Sequence, residues 1–187
     1  MTHTIPLRQG LPDEMQVLLR AYPRDTWPDH PNFARSVRNW MGAHETFRAL
    51  SGYVLDDTEA YLDRRLDDQD YAARLAKYGH VLVRNLHGHH HWEDTKFFPE
   101  LGAAERNLIP GLDLLEADHT ALDATLERFT RSANRVVQLA QLSPADMSPE
   151  VPEVHDSARD IAALLDRHLS DEEDLVVPII LHHQLRR

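Results

Sequence analysis

Cysteine is absent from the 187 residues, which excludes disulfides, thiolate metal sites and cysteine nucleophiles, although it does not fix the redox compartment. Glycine is scarce, at 7 residues. That is few for a turn-rich sheet, and with charged and aliphatic residues plentiful the balance favours helices. Positive charge is also in deficit, since 20 Lys and Arg against 31 Asp and Glu give a formal charge of -11. Such a chain repels a phosphate backbone and has no basic stripe to offset the repulsion, so no nucleic-acid partner is expected. Long apolar runs are missing too. The longest, LVVPIIL at 175 to 181, is far short of a membrane span, and MTHTIPLRQG at the N-terminus lacks the hydrophobic segment of a secretory signal. The expectation is a cytoplasmic protein with no membrane partner, whose chemistry comes from His, Asp, Glu, Tyr or a bound ion.

What the chain does have is helical periodicity and histidine. Residues 11 to 22, LPDEMQVLLRAY, pattern as a short amphipathic helix that either covers the core or mediates a homodimer, and a Pro- and Asp-rich connector follows at 23 to 31. From Asn32 onward Phe33, Val37, Trp40, His44, Phe47 and Leu50 recur at three- and four-residue steps. A second helix starts near Asp67, Asp68 or Asp70 and is expected to stop at Pro99 and LGAAERNLIPG. The third runs from LDLLEADHT to VVQLAQL, and the fourth follows SPADMSPEVP at 143 to 152. One domain is expected, all-α, with residues 1 to 31 ahead of an up-down-up-down four-helix bundle over 32 to 187.

Four histidines and three carboxylates crowd into HGHHHWEDTKFFPE at 87 to 100. Two fragments share a pattern: His89 to Pro99, and His168 to Pro178. Each reads His, three residues, Glu, an acid, a polar residue, one further residue (Lys96 or Leu175), two apolar residues, Pro. On a helix the i and i+4 side chains leave one face a turn apart, so His89 with Glu93 and His168 with Glu172 can each aim at one centre. The pair His90 and Asp94 competes on the neighbouring flank; the repeat, not the apolar face, favours His89 and Glu93. Antiparallel helices place residues at equal height when they are equidistant from the turn. With His44, His89, His119 and His168 as one layer, the midpoints fall near 66, 104 and 143, in RLDDQD, LGAAERNLIPG and QLSPAD. Each segment is turn-like, RLDDQD only weakly since it lacks Gly and Pro.

A layer of four imidazoles and two carboxylates suits two first-row ions, each taking two histidines, with Glu93, Glu172 and a solvent oxygen as bridges. Ligation without thiolate and rich in carboxylate fits two non-haem, oxo- or hydroxo-bridged iron ions best, and manganese or zinc less well. A single His-x3-Glu pair on a helix is more often a solvated ion pair, and a lone His44 or His119 more often a hydrogen-bonded core residue; two copies in matching context reverse that weighting. His87, His90, His91, His182 and His183 read as surface histidines, while His3, His30, His80 and His155 receive no role. Trp40, Phe47, Trp92 and Phe129 read as core, or as walls of a ligand channel.

These features, His44, HHHWEDTKFFP, His119 within EADHTALD, and HLSDEEDLVVP, resemble the hemerythrin-like HHE cation-binding family over roughly residues 32 to 181. The resemblance implies a four-helix bundle holding a di-iron centre, with His44, His89, Glu93, His119, His168 and Glu172 as ligands. Oxygen-carrying members have a fifth histidine, in an i, i+4 pair on the third helix; here Leu115 and Asp123 occupy those steps around His119. Either Asp123 supplies a carboxylate there, or both ions keep an open position, which favours reaction with or sensing of oxygen, peroxide or nitric oxide over carriage. Glu173 competes with Glu172, and His90 is a further alternative donor. Two functions follow: a di-iron protein that binds or reacts with such a small ligand, or a non-enzymatic iron or oxygen sensor or metal reservoir.

Overall fold

The computed structural model describes Ile5 and residues 8 to 185; His3 lies outside them. Every regular element among these residues is helical. A short α1 (Val17–Ala21) is followed by α2 (Arg35–Leu62), α3 (Asp68–Trp92), α4 (Phe98–Ala104), α5 (Ile109–Leu142) and α6 (Val151–His183). None is long and apolar enough to cross a membrane.

Local chemistry fixes the ends. The α2 terminus closes with Arg64 N–H on the Tyr61 carbonyl and Arg65 N–H on that of Ala60. Arg64 takes a left-handed φ of 61°. That is a Schellman closure built without glycine, which is why RLDDQD carries so weak a turn signal. Asp67 then caps α3, its Oδ1 accepting the Asp70 N–H at 2.8 Å.

The expected stop at Pro99 is not where the helix ends. Glu93–Phe97 forms a single π-helical turn and α4 continues to Ala104, with Pro99 in its first turn. Proline is tolerated there because a first-turn residue needs no helical N–H partner. Pro178 likewise lies inside α6.

The chain divides into two compact units. The first comprises residues up to Glu45, His89–Thr120 and Asp166 onward. Its core joins Leu11, Trp27, Val37, Leu101, Leu115 and Val176, so the connector before α2 is packed into it. At Gly111 an added Cβ would lie 2.8 Å from Leu175 Cδ2, so the bare backbone permits close approach of α5 and α6. The second unit, Thr46–Gly88 with Ala121–Leu165, has its own core around Val54, Tyr71, Leu75, Leu126, Phe129 and Leu165.

Candidate metal centre

All side chains of the centre belong to the first unit. α2 supplies His44, the end of α3 supplies His89 and His90, and the π turn supplies Glu93 and Asp94. α5 supplies Asp118 and His119, and α6 supplies His168, Asp171, Glu172 and Glu173. His44, Glu93, His168 and Glu172 are wholly buried.

Donor atoms converge in two groups. In the first, His44 Nε2 lies 3.1 Å from His89 Nε2, His89 Nε2 lies 2.9 Å from Glu93 Oε1, and His44 Nε2 lies 3.4 Å from Glu172 Oε2. In the second, His119 Nε2 lies 3.1 Å from His168 Nε2, and the His90 ring stacks on His119 at 4.0 Å and 10°. Ligating atoms of His44, His89, Glu93 and Glu172 fall within 4.8 Å of one another, as do those of His90, His119 and His168. The carboxylates face both groups, since Glu93 Oε2 is 3.8 Å from His119 Nε2 and Glu172 Oε2 is 3.8 Å from His168 Nε2.

The six side chains singled out from the repeat and the layer therefore come together, and five further readings need correction. His90 is not a surface histidine: it is 2 % exposed and sits in the second group. The pairs His89–Glu93 and His90–Asp94 are not alternatives either. A π turn holds one more residue than an α turn, and beside it both flanks of the helix face the centre. Asp123 belongs to the other unit, half-exposed and 3.5 Å from His87, whereas His90 on α3 lies with His119 and His168. Glu173 lies behind His44 rather than in place of Glu172. Of the aromatics read as core, Trp40, Phe47 and Phe129 are buried, but Trp92 is 38 % exposed and stacks on Phe97.

Each of three imidazoles has its Nδ1 held by a carboxylate. His44 Nδ1 donates to Glu173 Oε1 at 3.0 Å, His119 Nδ1 to Asp94 Oδ1 at 2.7 Å, and His168 Nδ1 to Asp118 Oδ2 at 3.4 Å. This fixes the tautomer that leaves Nε2 as a bare lone pair, the arrangement that serves metal-ligating histidines. In that tautomer the Nε2 lone pairs of His119 and His168 face each other across 3.1 Å, a contact that a metal ion or a proton between them relieves.

Burial lowers the His44 pKa against the pull of Glu173, and burial with the neighbouring His168 brings His119 down to about 4. Burial opposes ionisation of Glu93, yet the His89 ring and the Trp40 Nε1–H, which donates to Oε1 at 2.7 Å, hold its pKa at about 2. Burial and the charge of Glu93 push Glu172 far the other way. Glu172 thus keeps the proton of the pair. That proton bonds Glu172 to Glu93, and no nitrogen or hydroxyl donor reaches either Glu172 oxygen or Glu93 Oε2. Imidazole nitrogens and carboxylate oxygens gathered in one buried pocket are a fit for hard or borderline metal cations. A third group, Glu105, His182 and His183, lies at the end of α6, nearer solvent.

A family model described as the hemerythrin HHE cation binding domain matches residues 35 to 180. No curated protein and no solved structure matches the chain.

Proposed function

We propose that this chain, which belongs to the hemerythrin HHE cation-binding family, is a non-haem di-iron protein that binds or reacts with a small ligand such as oxygen, peroxide or nitric oxide. His44 and His89 would hold one iron, and His90, His119 and His168 the other, with Glu93 and Glu172 shared. The observation that carries this reading is the convergence of donor atoms in two groups: those of His44, His89, Glu93 and Glu172 lie within 4.8 Å of one another, as do those of His90, His119 and His168. The family's name supports cation binding; the choice of iron, and of two, follows from nitrogen and carboxylate ligation without thiolate.

Donor counting makes the centre asymmetric. Three imidazoles and two shared carboxylates nearly complete an octahedral set on one side, while two imidazoles leave more room on the other. The roomier side adjoins an apolar cavity of about 270 Å³ lined by Val37, Trp40, Trp92, Phe97 and Ile180 with Ser36 and Asn39. Trp40 touches both places, its ring 4.3 Å from that of His44 and its Nε1–H on Glu93. Such a vestibule suits a small neutral molecule. When bound, paired iron ions supply Lewis acidity and electrons at adjacent positions. The protein's own part is to keep the Nε2 lone pairs aimed inward, exclude water from Glu93 and Glu172, and fix Glu93 through Trp40.

The up-down-up-down order of α2, α3, α5 and α6, with residues 1 to 31 ahead of them, is the arrangement that such short connections favour. The test is metal analysis with an optical spectrum on untagged protein from iron-replete cells, before and after exposure to reductant, oxygen and nitric oxide. Two irons per chain with charge-transfer bands that respond to these additions are expected. One zinc, or no metal and no response, would overturn the reading.

A further inference from the structure

Two arginines ahead of α2, outside the residues that the family model covers, reach the back of the centre. Arg8 donates through Nη1 to Asp118 Oδ1 at 3.2 Å, through Nη2 to Asp118 Oδ2, and through Nε to Asp171 Oδ2 at 2.6 Å. Asp118 Oδ2 is the oxygen that accepts His168 Nδ1. Arg24 donates through Nη1 to Glu173 Oε2 at 2.9 Å, and the other oxygen of Glu173 accepts His44 Nδ1. Each arginine is thus one carboxylate away from one imidazole, and the two imidazoles belong to different donor groups.

We propose that Arg8 and Arg24 are positioning residues of the metal centre, Arg8 acting through Asp118 on His168 and Arg24 acting through Glu173 on His44. The proposal rests on the metal-binding reading above. The plain alternative is a pair of tethers that fasten the N-terminal stretch to the fold, since most ion pairs do little else. Burial argues against it. Asp118, Asp171 and Glu173 are 3 %, 0 % and 3 % exposed, and a carboxylate in such a place without a counter-charge is strongly disfavoured. The fork of Arg8 on both Asp118 oxygens fixes that carboxylate's plane, which a lysine's single ammonium cannot do. Arg24 is itself held from elsewhere, by Asp174 at 2.6 Å, by the Ser170 carbonyl at 2.8 Å and over the Trp27 ring at 5.1 Å. Trp27 is 3 % exposed and donates its Nε1–H to the Tyr22 carbonyl at 2.7 Å. The guanidinium therefore arrives at Glu173 already oriented. Without it, the carboxylate turns, His44 loses the acceptor that holds its ring, and Nε2 swings off the site.

The experiment uses the full chain loaded with cobalt(II), whose visible bands report occupancy, and follows its release to excess EDTA in wild type, Arg8→Gln, Arg24→Gln, Arg8→Lys, Arg24→Lys and Asp174→Asn. Release in two phases is expected, one per donor group. Each Gln variant should speed one phase by about 10- to 100-fold, the range seen when outer partners of ligands are removed, and the two variants should affect different phases. The hyperfine-shifted, exchangeable Nδ1–H proton signal of one imidazole should be lost in each. Lys variants should recover part of the effect, and they stand in if a Gln variant does not fold. Asp174→Asn, which loosens Arg24 without touching Glu173, should speed the same phase as Arg24→Gln by a smaller factor and leave the other phase unchanged. Unchanged rates, both phases moving together, or rates that follow melting temperature with Asp174→Asn included, would overturn the proposal. A wild-type chain that takes up neither cobalt nor iron would instead sink the metal-binding reading itself.

Discussion

His90 carries the sharpest difference between what neighbouring residues in a sequence suggest and what they do. It is one of three consecutive histidines, and only its ring stacks on His119 while His91 is exposed. His90→Ala is expected to lower bound iron from two per chain towards one, whereas His91→Ala leaves the count unchanged; elemental analysis of the purified variants decides it. His89, Glu93, His168 and Glu172 were legible because the two fragments repeat, and His44 and His119 because their heights could be computed from the turns. His90 was not, because a regular helix turns about 100° between neighbours and would send it away from His89's target. The available signal was Asp94, on the same flank as His90 and bonded to His119. Arg8 and Arg24 were illegible for another reason: their partners Asp118, Asp171 and Glu173 are more than a hundred residues away, a distance over which periodicity says nothing.

At the scale of elements, the four long helices were legible from their apolar spacing, and the ends were less so. The α3 start was marked by three aspartates, of which Asp67 does the capping; Asp67→Ala is expected to cost about 1 kcal/mol, read as a lower denaturant midpoint with unchanged slope. The π turn left no such mark, because a widened turn is stabilised by what it lets His90, Glu93 and Asp94 reach and not by local propensity. In the second unit, Tyr71 of α3 is fully buried, its hydroxyl 3.1 Å from Thr58 Oγ1 and its ring stacked on Tyr61 at 4.6 Å. Burial, and then the neighbouring Tyr61, push its pKa above the ordinary value of 10. The unfolded chain therefore releases this proton first as pH rises, so the stability that Tyr71 contributes is complete below pH 10 and is lost above it. Tyr71→Phe removes the ionisable group while keeping the ring. Melts taken between pH 9 and 11 should show a shallower decline for the variant than for wild type; parallel declines would contradict the assignment.

For the whole molecule, the centre lies within one of two compact units while the other holds an apolar core of its own. Metal that binds only the folded chain stabilises it by mass action. Loading should slow amide exchange most in His89–Thr120, and stripping the metal should leave the core of the second unit, around Leu75, Leu126 and Phe129, protected; exchange measured on both forms by mass spectrometry checks this. The Glu105, His182 and His183 group has a practical consequence. Two adjacent imidazoles and a carboxylate near solvent form a handle for immobilised nickel or zinc, so the untagged chain is expected to be retained on such a resin and the double variant His182→Ala, His183→Ala to run through. Material purified that way would carry leached column metal at its surface, and a tally of three ions per chain would then describe the chromatography rather than the protein.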